Sequence, residues 1–265
     1  MLGNTYFLDT LPAWGVFFGT VAICWLAIEG GYLAGRLRVR GGAHEKGDSV
    51  SAMHGSILAL LAFILAFTFG MAANRYDARK KLVLAEANAI GTCYLRAELL
   101  PSPFDTEMRG LLLEYVDTRL DAVQPEKLES ALARAEELHA LLWSQAVQVS
   151  REAPGSYGFV LFVQSLNELI DLHEKRVVAG IYDRLPGGVW GVLYAVAMLA
   201  MLATGYHLAL TDSRRSMTSV ALAIAFSLVI GLIVDLDRPQ SGALTVGQQS
   251  MVDVRGSMIE MSEVP

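Results

Sequence analysis

Four long apolar stretches punctuate the chain, and their lengths set the first reading. Pro12–Ala34 contains one charge, Glu29, near its end; Met53–Ala73 and Met217–Val234 contain none; Gly188–Leu210 is interrupted only by His207. A helix crossing the hydrocarbon core needs about 20 mostly apolar residues, so the pattern predicts four transmembrane helices. Trp14 and Trp190 fall at segment ends, where amphipathic rings favour the membrane interface. No basic segment precedes the first stretch, which is therefore read as a retained helix and not a cleaved leader.

The segment 74–187 has the opposite character. It is rich in both Lys/Arg and Asp/Glu, poor in glycine, and punctuated by Pro101, Pro103, Pro125, Pro154 and Pro186. Between the prolines the apolar residues recur at helical spacing: Leu128, Leu132, Leu138, Leu141 and Leu142 in one stretch, Val163, Leu166, Ile170, Val177 and Ile181 in another. The spacing predicts helices over about 74–100, continuous with the second span, and over about 104–123, 126–151 and 157–184. The fold class is thus all-α: a polytopic membrane protein of four transmembrane helices with a helical extramembrane domain between the second and third. The divisions are 1–73, 74–187, 188–234 and a tail, 235–265, expected to be irregular or partly docked.

Composition agrees. Hydrophobic residues make up 53% and charged residues 18%, below the quarter or so usual for soluble domains, and mean hydropathy is +0.40. A net charge of −6 argues against a nucleic-acid partner. Cys24 lies in an apolar run and Cys93 in a polar helix, so no disulfide between them is expected. Orientation stays open. Arg36, Arg38, Arg40 and Lys46 in the first loop, with Arg214 and Arg215 in the third, favour placing those loops in the cytoplasm; Arg75, Arg79, Lys80, Lys81, Lys175, Arg176 and Arg184 flank the helical domain and pull the other way.

Two motifs carry a family resemblance. "LAFTFGMAANRYDARK" resembles the second transmembrane helix of bestrophins, with Arg75-Tyr76 and Asp77-Ala78-Arg79-Lys80 as the matching parts, one residue closer together than in that family, and Asn88 at a recurring polar position. "RYDARKKLVLAEANAIGT", "LNELIDLHEKRV" and "DLDRPQSGALTVGQQ" resemble a bacterial bestrophin-like family over about residues 50–250. Bestrophins are pentameric ion channels whose second helix lines the pore with an apolar neck. Carried across, that neck falls on Ala59, Phe63 and Phe67, four apart and so on one helix face. Ala59 is smaller than the family prefers, which shifts any neck toward Leu60. The same face of a spanning helix can equally pack or meet lipid.

The end of the fourth stretch, "LIVDLDRPQSG", concentrates Asp235, Asp237 and Arg238. Spans two and four exit on the same side, so Arg75, Asp77 and Arg79 join them in one structural charge cluster, with Arg75 or Arg79 as the expected cation for either acid. A carboxylate at a helix C-terminus is opposed by the macrodipole and needs one. In animal bestrophins acids after the fourth helix contribute to a calcium clasp; two acids followed by an arginine fall short of the six to eight oxygens calcium takes. Glu136 and His139 have the Glu-x-x-His spacing of helical di-metal sites, but only once, and Asp171 and His173 point apart on a helix. These are read as solvated faces, with no metal and no cofactor. Glu29 is read as reaching the interface near a helix end.

No catalytic fingerprint is present, so an enzyme ranks last among the readings. The leading one is a bestrophin-like membrane protein, a homo-oligomeric ion channel or pore, with the bilayer and inorganic ions as partners and a bacterial plasma membrane as its place. The alternative is a membrane-anchored sensory or scaffold protein with a helical-bundle domain.

Overall fold

The structure, a computed structural model, describes residues 11–41, 47–211, 217–239 and 242–263. Its long elements are all helical: α1 (Ala13–Arg40), α2 (Gly47–Ala97), α3 (Phe104–Asp121), α4 (Leu128–Glu152), α5 (Tyr157–Val177), α6 (Gly187–Leu210), α7 (Met217–Asp237) and α8 (Gln249–Glu263). Among the described residues no strand forms, and four helical runs are long and apolar enough to cross a membrane. They carry the four predicted stretches, in α1, α2, α6 and α7. The chain divides into two compact units, Met1–Tyr76 with Arg184–Leu244, and Asp77–Asp183 with Thr245–Pro265.

The first unit is held by backbone-to-backbone packing of α1 on α6. A Cβ added to Gly31 would lie 1.9 Å from the Leu202 carbonyl oxygen, and one added to Gly205 would lie 1.9 Å from that of Ile28. A Cβ added to Gly35 would lie 2.7 Å from the Ala209 Cβ and 3.0 Å from the Tyr206 carbonyl oxygen. Lipid tails are as apolar as leucine, so spanning helices associate through such close approach of small residues. Buried hydroxyls are satisfied locally: Thr20, Thr68, Thr204 and Ser227 each donate to a carbonyl four residues back, as groups without water must. Tyr194 joins Thr20 at 3.0 Å, and His54 Nε2 joins Thr204 at 2.9 Å, with the His207 ring stacked on His54.

Some sequence expectations change here. α1 continues to Arg40, so Arg36, Arg38 and Arg40 are helical and not in a loop; Lys46, Arg214 and Arg215 lie outside the described residues. For the same reason Glu29 sits well inside α1, half-buried, and not near its end. Trp190 is buried in the unit's core while Trp14 is exposed. Cys24 and Cys93 are both free and buried, one in each unit.

The second unit packs the later part of α2 with α3, α4, α5 and α8 around one apolar core. The stripe on α4 runs through Ala131, Ala135, Leu138, Leu142, Ala146 and Val149, and leaves Leu141 exposed. Alanine, invisible in a leucine-based reading, belongs to the buried face. At the start of α5, Ser156 caps the helix by accepting from the Phe159 amide, and Gly158 fits against the Leu99 carbonyl, where a Cβ would come within 2.8 Å. The tail is more ordered than expected. Met251 and Met258 bury on one face of α8, Tyr94 donates to the Met258 carbonyl at 3.0 Å, and Arg109 donates to that of Met261 at 3.1 Å while covering the Tyr94 ring.

Candidate functional site

Leu61, Leu65, Thr68 and Ala72 mark the inward side of α2 in the first unit. The opposite side is open: Phe63 is 69% and Phe67 64% exposed, with Ala59 and Leu60 exposed beside them. The structure therefore brings Ala59, Phe63 and Phe67 onto one unpartnered apolar face, which in a spanning helix borders lipid, a second copy or an ion path. Asn74 continues the exposed side. Thr68 does not share it, because it is buried and donates to the Ile64 carbonyl.

At the end of α7, still in the first unit, both acids are buried and engaged. Asp235 accepts the backbone N–H of Ala243 and of Leu244, one on each oxygen, at 2.9 Å. This holds Ala243 and Leu244 against the helix end. Gly242 makes the turn at φ +138°, and a Cβ there would sit 2.0 Å from Asp235 Oδ1. Asp237 accepts the Leu185 N–H at 2.9 Å and Arg184 Nε at 3.2 Å, while Arg238 donates to the Leu11 carbonyl at 2.7 Å. All four carboxylate oxygens thus have N–H donors, which supplies what the helix C-terminus denies them and does not fit a calcium clasp. Arg184 and the two loop amides escape sequence reasoning, which looks for side-chain cations at the same depth. Arg75 is half-buried in this unit. In the second unit Asp77 pairs with Lys81 at 2.6 Å on the surface, and Arg79 is buried.

The second unit also holds a polar network that the sequence reading does not assemble. Glu86 on α2 is fully buried. Its Oε1 accepts Tyr115 O–H at 2.7 Å and lies 2.9 Å from Arg119 Nε; its Oε2 accepts Arg176 Nη1 at 2.6 Å. Arg176 also donates to Gln248, just before α8, at 2.7 Å. Because the Tyr115 proton goes to Glu86, His173 Nδ1 at 3.0 Å is the donor to the Tyr115 oxygen. The His139 ring meets His173 edge to face, centroids 4.7 Å apart. Burial by itself would raise the Glu86 carboxyl, but the charges of Arg119 and Arg176, with hydrogen bonds from Arg176 and Tyr115, hold it at about 2. Burial and then the Arg119 charge lower His139 to about 4 and His173 to about 3.

His139 and His173, expected on solvated faces, are both buried, and their acidic neighbours are not with them. Glu136 is exposed, and Asp171 lines a surface cleft of about 420 Å³ with Arg96, Gln164 and Lys175. Among the described residues no three His, Cys, Asp or Glu side chains are placed to hold a metal. A readable signal for the network did exist. Arg119 stands in register with the buried Met108, Leu112 and Tyr115, and His173 with Phe162, Leu166 and Leu169, each at the spacing of an apolar stripe.

Comparison with known proteins agrees with this architecture. The model of the bestrophin-like domain matches residues 21–251. No curated protein matches the chain. Among solved structures, a tryptophan-to-alanine variant of a bacterial bestrophin homologue from Klebsiella pneumoniae is similar at TM-score 0.70 and 16% identity, covering 93% of this chain and 96% of that one. A leucine-to-threonine variant of the same homologue gives TM-score 0.68 and 17% identity over 94% and 98%. A leucine-to-alanine variant of a membrane protein gives TM-score 0.68 and 13% identity over 93% and 97%. At these identities the likeness is one of fold.

Proposed function

We propose that this chain, which belongs to the bestrophin-like family, assembles with copies of itself into an ion channel in which α2 lines the path. The observation that carries the reading is the one-sidedness of α2: Leu61, Leu65 and Thr68 are buried in the chain while Ala59, Phe63 and Phe67 stay open on the other face. In a ring of copies such a face turned to the axis makes an apolar constriction, which gates by disfavouring water. Family resemblance makes a pentamer the assembly to test first and a bacterial plasma membrane its place; Asp77, paired with Lys81, and Asp235, Asp237 and Arg238 then have a structural role. No enzymatic role is proposed.

The test is ion flux in liposomes holding the purified full-length protein, with the mass of the detergent-solubilised particle measured alongside. Flux above empty liposomes, a further rise in the F63A/F67A variant, and a mass of several subunits support the reading. A monomer or dimer that is silent in both forms would contradict it and favour a membrane-anchored scaffold.

A further inference from the structure

The buried network of the second unit has an unbalanced charge. Two guanidiniums, Arg119 from α3 and Arg176 from α5, share the single carboxylate of Glu86 from α2. All the acceptor capacity facing them is used: both Glu86 oxygens are taken, the Tyr115 oxygen accepts from His173, and Gln248 carries no charge. His139, the contribution of α4, has its Nε2 buried without a hydrogen-bond partner. A proton arriving on either imidazole therefore finds two cations already in place, and the one carboxylate in reach, Glu86 Oε1 at 3.9 Å from His173 Nδ1, is already shared between them.

We propose that the His139–His173 pair is an acid-triggered release built into the helical unit, in which protonation sets a third and then a fourth positive charge around Glu86 and loosens α4 and α5 from α2 and α3. The groups facing the pair are Glu86 on α2, Tyr115 and Arg119 on α3, and Arg176 on α5. Their sum is positive and opposes protonation of the closed state. The ordinary histidine value is 6.5, against about 4 for His139 and about 3 for His173 in place. Acidification from pH 7.5 to pH 5 therefore favours the opened state by about 30-fold for each ring. Glu86, held at about 2, remains a carboxylate across this range, so the response belongs to the histidines. The device is independent of whether the protein conducts.

Backbone hydrogen exchange of the full-length protein in lipid nanodiscs tests it, with rates corrected for the intrinsic effect of pH. Peptides from α4 and α5 should exchange at least about tenfold faster at pH 5 than at pH 7.5, and the H139Q/H173Q variant should lose most of that acid response. Equal corrected rates at the two pH values in the wild type, or an undiminished response in the variant, would overturn the proposal. Should the variant fail to fold, exchange of the histidine C2 protons in the wild type decides: midpoints for His139 and His173 well below pH 6 support the proposal, and midpoints near 6.5 overturn it.

Discussion

The two units bury carboxylates in opposite ways. In the first, Asp235 is satisfied by backbone, the amides of Ala243 and Leu244 eight and nine residues on, and Asp237 takes the Leu185 amide together with Arg184 at the start of the unit's second segment. In the second, Glu86 takes no backbone donor and is met by side chains from α3 and α5. The difference follows from the solvent each sequence is built for. Spanning helices have few charges to offer, and their own backbone must already be paired. A solvated bundle has many charges, and burying a few of them together ties several helices to one point. The first arrangement fixes a local turn; the second makes the unit's packing depend on one charge balance.

Breaking Glu86 should therefore have the largest effect. Glu86→Gln leaves Arg119 and Arg176 buried without their counter-charge, a loss expected to cost about 3–5 kcal/mol. Circular dichroism and limited proteolysis of the full chain should show the second unit melting first. A variant as stable as the wild type would mean that the network is passive.

Acid should come next. Since both histidines are lower in the folded state than their ordinary 6.5, their contribution is complete above that pH and is lost as the pH falls toward about 4 for His139 and about 3 for His173. The expected loss at pH 5 is about 2 kcal/mol per ring, read as a falling Tm. Below the ordinary glutamate value of 4.5, protonation of unfolded Glu86 adds a second decline that continues toward about 2. A Tm unchanged between pH 7.5 and 5 would remove the contrast between the units.

The first unit should fail through packing. Gly205→Val drives a side chain into the Ile28 carbonyl, with the expected cost at the upper end of the 1–3 kcal/mol typical of overpacking. Loss of heat resistance in detergent, with α1 newly accessible to protease, would show it. The smallest effect is expected at the α7 turn: Asp235→Ala frees two amides at about 1–2 kcal/mol, measurable as faster exchange at Ala243 and Leu244 with α7 itself unchanged.

How much of this was legible in the sequence depends on the range of the interaction. Span positions follow from local hydropathy, and the helices of 104–184 from local periodicity. The α8 helix was readable from Met251, Val254, Met258 and Met261 at helical spacing, but charges and Gly256 among them obscured it. The small-residue seam was half visible as Gly31 and Gly35, while its partners Gly205 and Ala209 lie far off in sequence. Glu86 shows why the rest was not legible. It looks like one more charge on a polar helix until Tyr115, Arg119 and Arg176 are brought to it from other helices. The α2 face is the converse case: spacing places Ala59, Phe63 and Phe67 together, yet what lies opposite them depends on other copies of the chain.

That last point is where the channel reading is most directly tested. A cysteine placed by Phe63→Cys should react with a small charged thiol reagent if it borders water, and should not if it borders lipid; the native Cys24 and Cys93 are buried and add little background. In a planar bilayer, the reading predicts that the reagent changes the current of the Phe63→Cys channel and leaves the wild type unaffected. A conducting Phe63→Cys protein whose current and thiol are both untouched would contradict α2 as the lining of the path.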